Sequence, residues 1–256
     1  MRSISYVGIT GFERGKQAEV VRSSISTDRL LMIGACMRGD PTEWNPDRWP
    51  NRNPRPEILQ SIFRPHRNVL NILHFTPLPG CDLYEHLCKA QEVAGPHCDG
   101  FQLNTPWPDI QALARYKSSS QFRSKVITIT AQPDALETVG WDPKRVAQNL
   151  KEYEAVADYV LVDPSAGHGK ELDVLFTRQC LEAIAALMPN VGLVVASGFD
   201  AYNVESKIAS LLADFPLSTD AEGKLRTADD HLDLKKAVAY AKATEKLLQK
   251  YDTLRK

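Results

Sequence analysis

Two spacings are missing from this chain. No Cys-x-x-Cys pair and no His-x-x-x-His pair occurs among its five cysteines and six histidines, so neither a metal site nor a redox dithiol is expected. The cysteines (Cys36, Cys81, Cys88, Cys98 and Cys180) are odd in number, which argues against a disulfide framework and for reduced thiols in the cytoplasm. An excess of one charge is also missing. Lysine and arginine total 31 against 32 acidic residues, so the basic face that nucleic acid requires is not expected. No apolar run approaches the roughly 18 residues of a membrane span. The first residues enter a strand-like run at once, without the apolar region of a secretion signal. The first apolar run ends Gly8-Ile9-Thr10-Gly11, which does not fit the Gly-x-Gly-x-x-Gly fingerprint of an open dinucleotide-binding sheet. No cofactor is implied.

What is present is one grammar, repeated: an apolar run, a polar or glycine tip, then a helical stretch. Strands are expected at 5–10, 30–36, 69–75, 100–104, 125–130, 159–163, 192–197 and 215–219. Helices are expected at 18–26, 82–94, 109–118, 143–156, 177–187, 203–213 and 232–254. Eight strands in 256 residues is the requirement of an α/β protein of the (β/α)8 TIM-barrel type, as one domain over 1–256. The 43% hydrophobic content is enough for one large core.

Two segments break the rhythm. Residues 38–56 are rich in proline, arginine and tryptophan and cannot be a regular helix. In a barrel this loop follows the second strand and lies on the catalytic face. Trp44 and Trp49 are expected to cover the mouth, with Arg38, Arg52 and Arg55 bringing positive charge to an anionic substrate. A surface loop whose tryptophans merely pack on the barrel is the alternative. The second segment, 218–230, is a polar loop after the eighth strand.

The strand tips Thr10, Arg38, His74, Asn104, Thr130, Gln132, Asp163, Ser197, Ser218 and Thr219 would converge on one mouth. Asp163, at the end of Tyr159-Val160-Leu161-Val162, is the candidate general acid or base, or else a residue that only caps the next loop. His74 is its candidate partner, or a hydrogen-bonded rim residue. Ser197, Gly198, Ser218 and Thr219 are candidates for a phosphate at the last two strands, with Asp200, Asp220 and Glu222 as opposing charges nearby.

The order of these tips resembles the phosphoribosylanthranilate isomerase family. Gly8-Ile9-Thr10 resembles its first-strand tip and Asn53-Pro54-Arg55 its Ser-Pro-Arg. Gln102-Leu103-Asn104 resembles its fourth strand. Leu161-Val162-Asp163 with Gly167-His168-Gly169-Lys170 resembles its Leu-Asp and Gly-Gly-Thr-Gly-Lys, and Ser197-Gly198 with Asn203-Val204 its Gly-Gly and Asn-Val. The resemblance implies a ribulose-phosphate-binding barrel with Asp163 as general acid and Arg55 on a substrate carboxylate; Arg38, Asn104 and Gln102 are the further candidates around a small phosphorylated, sugar-like metabolite. Val7 stands where the family has its catalytic cysteine, and Asp220 where it has a glycine. The family's own reaction is therefore expected to be slow. An acid–base isomerase or lyase on a related metabolite is the leading expectation. A non-catalytic barrel that binds a ligand or protein is the second. A hydrolase or aldolase is weaker, because no strand interior carries a Schiff-base lysine.

Overall fold

A computed structural model describes residues 4–26, 28–44, 49–165 and 171–255. Eight parallel strands close on themselves in chain order: β1 (Tyr6–Thr10), β2 (Leu30–Arg38), β3 (Val69–Thr76), β4 (Gly100–Leu103), β5 (Val126–Ala131), β6 (Tyr159–Val162), β7 (Gly192–Ala196) and β8 (Leu217–Ala221). Closure is made by β1 against β8, with Gly8 opposite Asp220. This is the expected (β/α)8 barrel.

The helices are α1 (Gly15–Arg22), α2 (Pro56–Ile62), α3 (Leu83–Ala94), α4 (Ile110–Ser118), α5 (Pro133–Thr138), α6 (Pro143–Lys151), α7 (Val174–Leu187), α8 (Val204–Leu212) and α9 (Leu234–Leu254). Five of them start at an aspartate whose side chain accepts first-turn N–H groups: Asp82, Asp109, Asp142, Asp173 and Asp233. Two helices, α2 and α5, were not expected. Each opens on a proline at its first position, where the missing N–H costs nothing, and each is too short to show a periodic apolar face. Among its described residues, the 38–56 loop contains a 3-10 turn, Pro50–Arg52.

The side chains of each strand alternate between two cores. Tyr6, Met32, Ile72, Tyr159, Leu161, Val194 and Ala196 fill the barrel interior, with the Tyr6 and Tyr159 rings edge to face at 5.2 Å. The intervening residues, Val7 and Ile9 of β1 among them, belong to the much larger core between strands and helices. One boundary matters for function. β8 was expected to end at Thr219 but runs on to Ala221, so Asp220 is a strand residue. The alternation that puts Ser218 inside the barrel therefore puts Asp220 inside as well.

Candidate active site at the barrel mouth

The upper interior layer is polar. Thr10 at the end of β1 bonds Asp220 through its Oγ1, at 2.9 Å to Oδ1 and 3.0 Å to Oδ2. His74 of β3 lies 3.1 Å from the same hydroxyl through Nε2, and Gln102 of β4 reaches His74 Nδ1 through its Nε2 at 2.9 Å. Between β1 and β3 stands Gly34 of β2. A Cβ there would come within 2.7 Å of Thr10 Oγ1 and 2.8 Å of His74 Nε2, so only glycine leaves room for that contact.

Burial sets the electrostatics. The Asp220 carboxyl is pushed up to about 8 by desolvation; the Thr10 hydrogen bond opposes this, and the charges of Glu222 and Asp163 add to it. His74 is pushed down to about 3 by burial, so its imidazole is neutral at physiological pH. Glu222, just beyond β8, is raised by burial against the pull of Arg52 and Arg226. Cys36 Sγ lies 3.8 Å from Glu222 Oε1, and burial followed by that carboxylate holds it well above the usual thiol range. It stays a thiol and is no substitute for a missing base.

An ion network ties two loops across the mouth. Arg226 is buried, donating to Gly11 O at 2.8 Å, Glu13 Oε1 at 2.9 Å and Asp230 O at 2.6 Å. Arg52 of the second-strand loop pairs with Asp230 at 2.8 Å, lies 3.6 Å from Glu222, and stacks on the Trp49 ring at 4.4 Å. Asn51 adds a bond to Asp229 O. Trp49 itself adopts a left-handed backbone at φ 52°. Arg55 stacks over Trp44 at 4.5 Å, while Trp44 Nε1 donates to Asn53 O. The loop expected to bring arginines to a ligand thus commits Arg52 to the protein's own carboxylates and Arg55 to a tryptophan.

The remaining expected residues divide into two groups. Asp163 lies just past β6, its Oδ1 accepting from the Ser165 N–H at 2.9 Å and the Ser165 hydroxyl at 2.7 Å. Asn104 lies just past β4 beside Gln102, with Nε2 to Oδ1 at 3.5 Å, and Arg38 ends β2. These stand with Thr10 and His74 on the C-terminal side of the strands. Ser218 and Thr219 do not: the Ser218 hydroxyl accepts from the Tyr6 N–H at the start of β1, and Thr219 Oγ1 accepts from Tyr240 of α9 in the helix layer. After β7, the Gly198 carbonyl accepts from the Asn203 amide, and the Asp200 carboxylate takes the Tyr202 and Asn203 N–H groups. A carboxylate of the chain therefore occupies backbone donors of the kind a phosphate would use there. Ser197 lies just past β7, its carbonyl accepting from Phe199 N–H. Gly167, His168, Gly169 and Lys170 lie outside the described residues. Val7, where the resemblance calls for a base, faces the helix layer: its register partner is Thr219.

Asp220 and Glu222, which in the sequence stand only as charges opposing a phosphate, are functional candidates in the fold. The signal was the alternation Ser218, Asp220, Glu222, visible once β8 is extended.

No protein-family model matches this chain, and no curated protein does. Solved structures do. Phosphoribosyl anthranilate isomerase from Thermus thermophilus superposes with a TM-score of 0.64 at 17% identity, over 94% of this chain and 99% of that one. The enzyme of that name from Thermococcus kodakaraensis gives 0.61 at 14%, over 94% and 99%. The catalytic domain of a chitinase from Pyrococcus furiosus gives 0.58 at 11%, over 95% and 97%. At such identities the likeness is one of fold, and it is the (β/α)8 barrel that these proteins and this chain have in common.

Proposed function

We propose that the barrel mouth carries out acid–base isomerisation or elimination on a small, polar, sugar-like metabolite, with Asp220 as proton donor and Asp163 as proton acceptor. The observation that carries this reading is the buried Asp220 carboxyl, held protonated near neutral pH within the electrostatic reach of Asp163. Two carboxyl groups in unlike surroundings supply an acid and a base at one pH. A carboxylate takes the proton from the carbon next to a carbonyl or imine. The protonated carboxyl gives its proton to the heteroatom, and the electron pair passes between them. The resemblance alone implied the donor role for Asp163; the burial of Asp220 favours the reverse division. Phosphate on the metabolite is an arm of the test rather than a premise.

A second reading, a barrel that binds without turnover, draws on Val7 facing the helix layer and on the ion pairs that latch the two loops. Deuterium uptake separates them. The protein is incubated in D2O with a panel of aldoses, ketoses and amino sugars, each free and phosphorylated, and carbon-bound deuterium is read by NMR. One member should exchange, and Asp163→Asn and Asp220→Asn should each slow the exchange roughly 10²-fold or more. No exchange with any member, together with ligand binding that survives Asp163→Asn, would establish the binding barrel instead.

A further inference from the structure

We infer that Gln102, His74 and Thr10 form a one-way chain of hydrogen-bond donors that orients the Asp220 carboxyl and stabilises its charged form, with His74 a positioning residue rather than an acid–base group. This rests on the reading of Asp220 as the proton donor.

The direction of the chain follows from donor counting. Gln102 Nε2 lies 2.9 Å from His74 Nδ1 and 3.5 Å from Asn104 Oδ1. Both are satisfied if the amide nitrogen stands there and donates. His74 Nδ1 must then be the acceptor. A neutral imidazole carries one N–H, which is left on Nε2. That nitrogen is the nearer of the two to Thr10 Oγ1, at 3.1 Å against 3.4 Å, so it donates to the hydroxyl. The single O–H of Thr10 is thereby released to Asp220, to whose two oxygens it is almost equidistant. Four side chains from β4, β3, β1 and β8 are linked with every donor pointing the same way.

All four are buried, at 6%, 2%, 2% and 5% exposure, so water does not compete for these bonds. The Gly34 gap is an independent sign that the link is built: a methyl group at that position would collide with both atoms of the Thr10–His74 bond. The other groups facing Asp220 are Tyr6 on β1, Cys36 on β2, Asp163 after β6, Glu222 after β8 and Tyr240 on α9, with Arg52 and Arg226 behind Glu222 and Cys36. Among these, Asp163 and Glu222 oppose ionisation, as does burial; Thr10 and the Ala221 N–H favour it. The chain thus restrains a carboxyl that burial alone would carry further from neutrality, keeping it near the pH at which an acid can both give and regain a proton.

The test needs no substrate. Aspartate carboxyls are labelled with 13C, the Asp220 signal is identified by its loss in Asp220→Asn, and its titration midpoint is read in the whole protein. Imidazole 15N shifts report the His74 tautomer. The native midpoint should fall near 8 and His74 should be the Nε2–H tautomer. Thr10→Val should raise the midpoint by about one unit, since a hydrogen bond to a charged group is lost. Thr10→Ser should restore it. Gln102→Met should turn the single tautomer into a mixture and shift the midpoint upward by less. A midpoint unmoved in Thr10→Val overturns the inference, as does a native Nδ1–H tautomer. If Thr10→Val does not fold, an unmoved tautomer in Gln102→Met overturns it as well. Failure to find turnover would remove the proposed reaction while leaving these midpoints standing.

Discussion

The barrel interior has a floor and a mouth, made by the same strands one inward position apart. On β3 the floor residue is Ile72 and the mouth residue His74; on β6 they are Leu161 and Asp163. The floor packs apolar side chains against each other and against Tyr6 and Tyr159. The mouth buries carboxyls, guanidinium groups, an imidazole and a thiol, and each charged group there is held by a partner. Burial at the floor stabilises, because apolar area leaves water. Burial at the mouth costs free energy that only pairing offsets. A fold driven by stability alone would continue the floor upward. On the proposed function, the polar layer is what the chemistry requires at that cost.

Three substitutions sharpen the contrast, from the largest expected effect to the smallest. Arg226→Ala should destabilise by about 3–5 kcal/mol, because it removes a buried donor from the Gly11 carbonyl, the Asp230 carbonyl and Glu13 at once, and a positive charge from beside Glu222. Arg226→Lys should recover little, since a point charge cannot reproduce the fork. A denaturant midpoint that moves by less than about 1 kcal/mol, the worth of a surface pair, would show the mouth network to be incidental.

Ile72→Ala, at the floor, should cost about 2–4 kcal/mol through lost transfer energy and the cavity left behind. It should leave the Asp220 titration where it is. A shifted midpoint in Ile72→Ala would mean that floor and mouth are one coupled layer rather than two.

Asp220→Asn should stabilise, and the sign follows from linkage. The folded group titrates near 8, above the ordinary value of 3.8. Below 3.8 both folded and unfolded chains hold the proton, and the native carboxyl is at its most favourable. As pH rises toward 8 the unfolded chain ionises and the native one does not, so native stability falls; above 8 it levels off. Asparagine has no proton to lose and keeps an oxygen for the Thr10 hydroxyl. The variant's advantage should therefore be near zero at pH 4 and on the order of a few kcal/mol at pH 8. Equal stability of the two proteins at pH 8, by denaturant unfolding, would mean that the carboxyl is not desolvated.

Much of this was legible in the chain. Apolar runs alternating with helical stretches announced eight strands, because the apolar run of a buried parallel strand is a local property. Asp163 and His74 were legible as tips for the same reason. The phosphate expectation at Ser218 and Thr219 failed to read side-chain direction. A strand's end moved by two residues changes which residues enter the mouth, and Thr219 turned toward Tyr240. Glu13 and Arg226 carried no signal, since their meeting spans more than two hundred residues.

Sequence by itself determined the order of the eight strands and the presence of a carboxylate at the end of β6. These depend on apolar periodicity, which neighbours in the chain dictate. Only the tertiary structure decided that Asp220 is desolvated, that Gly34 leaves space between Thr10 and His74, and that Arg52 belongs to Glu222 and Asp230. Those properties come from the closure of β8 onto β1, which brings the last strand's charges beside the first strand's hydroxyl and takes water away from both.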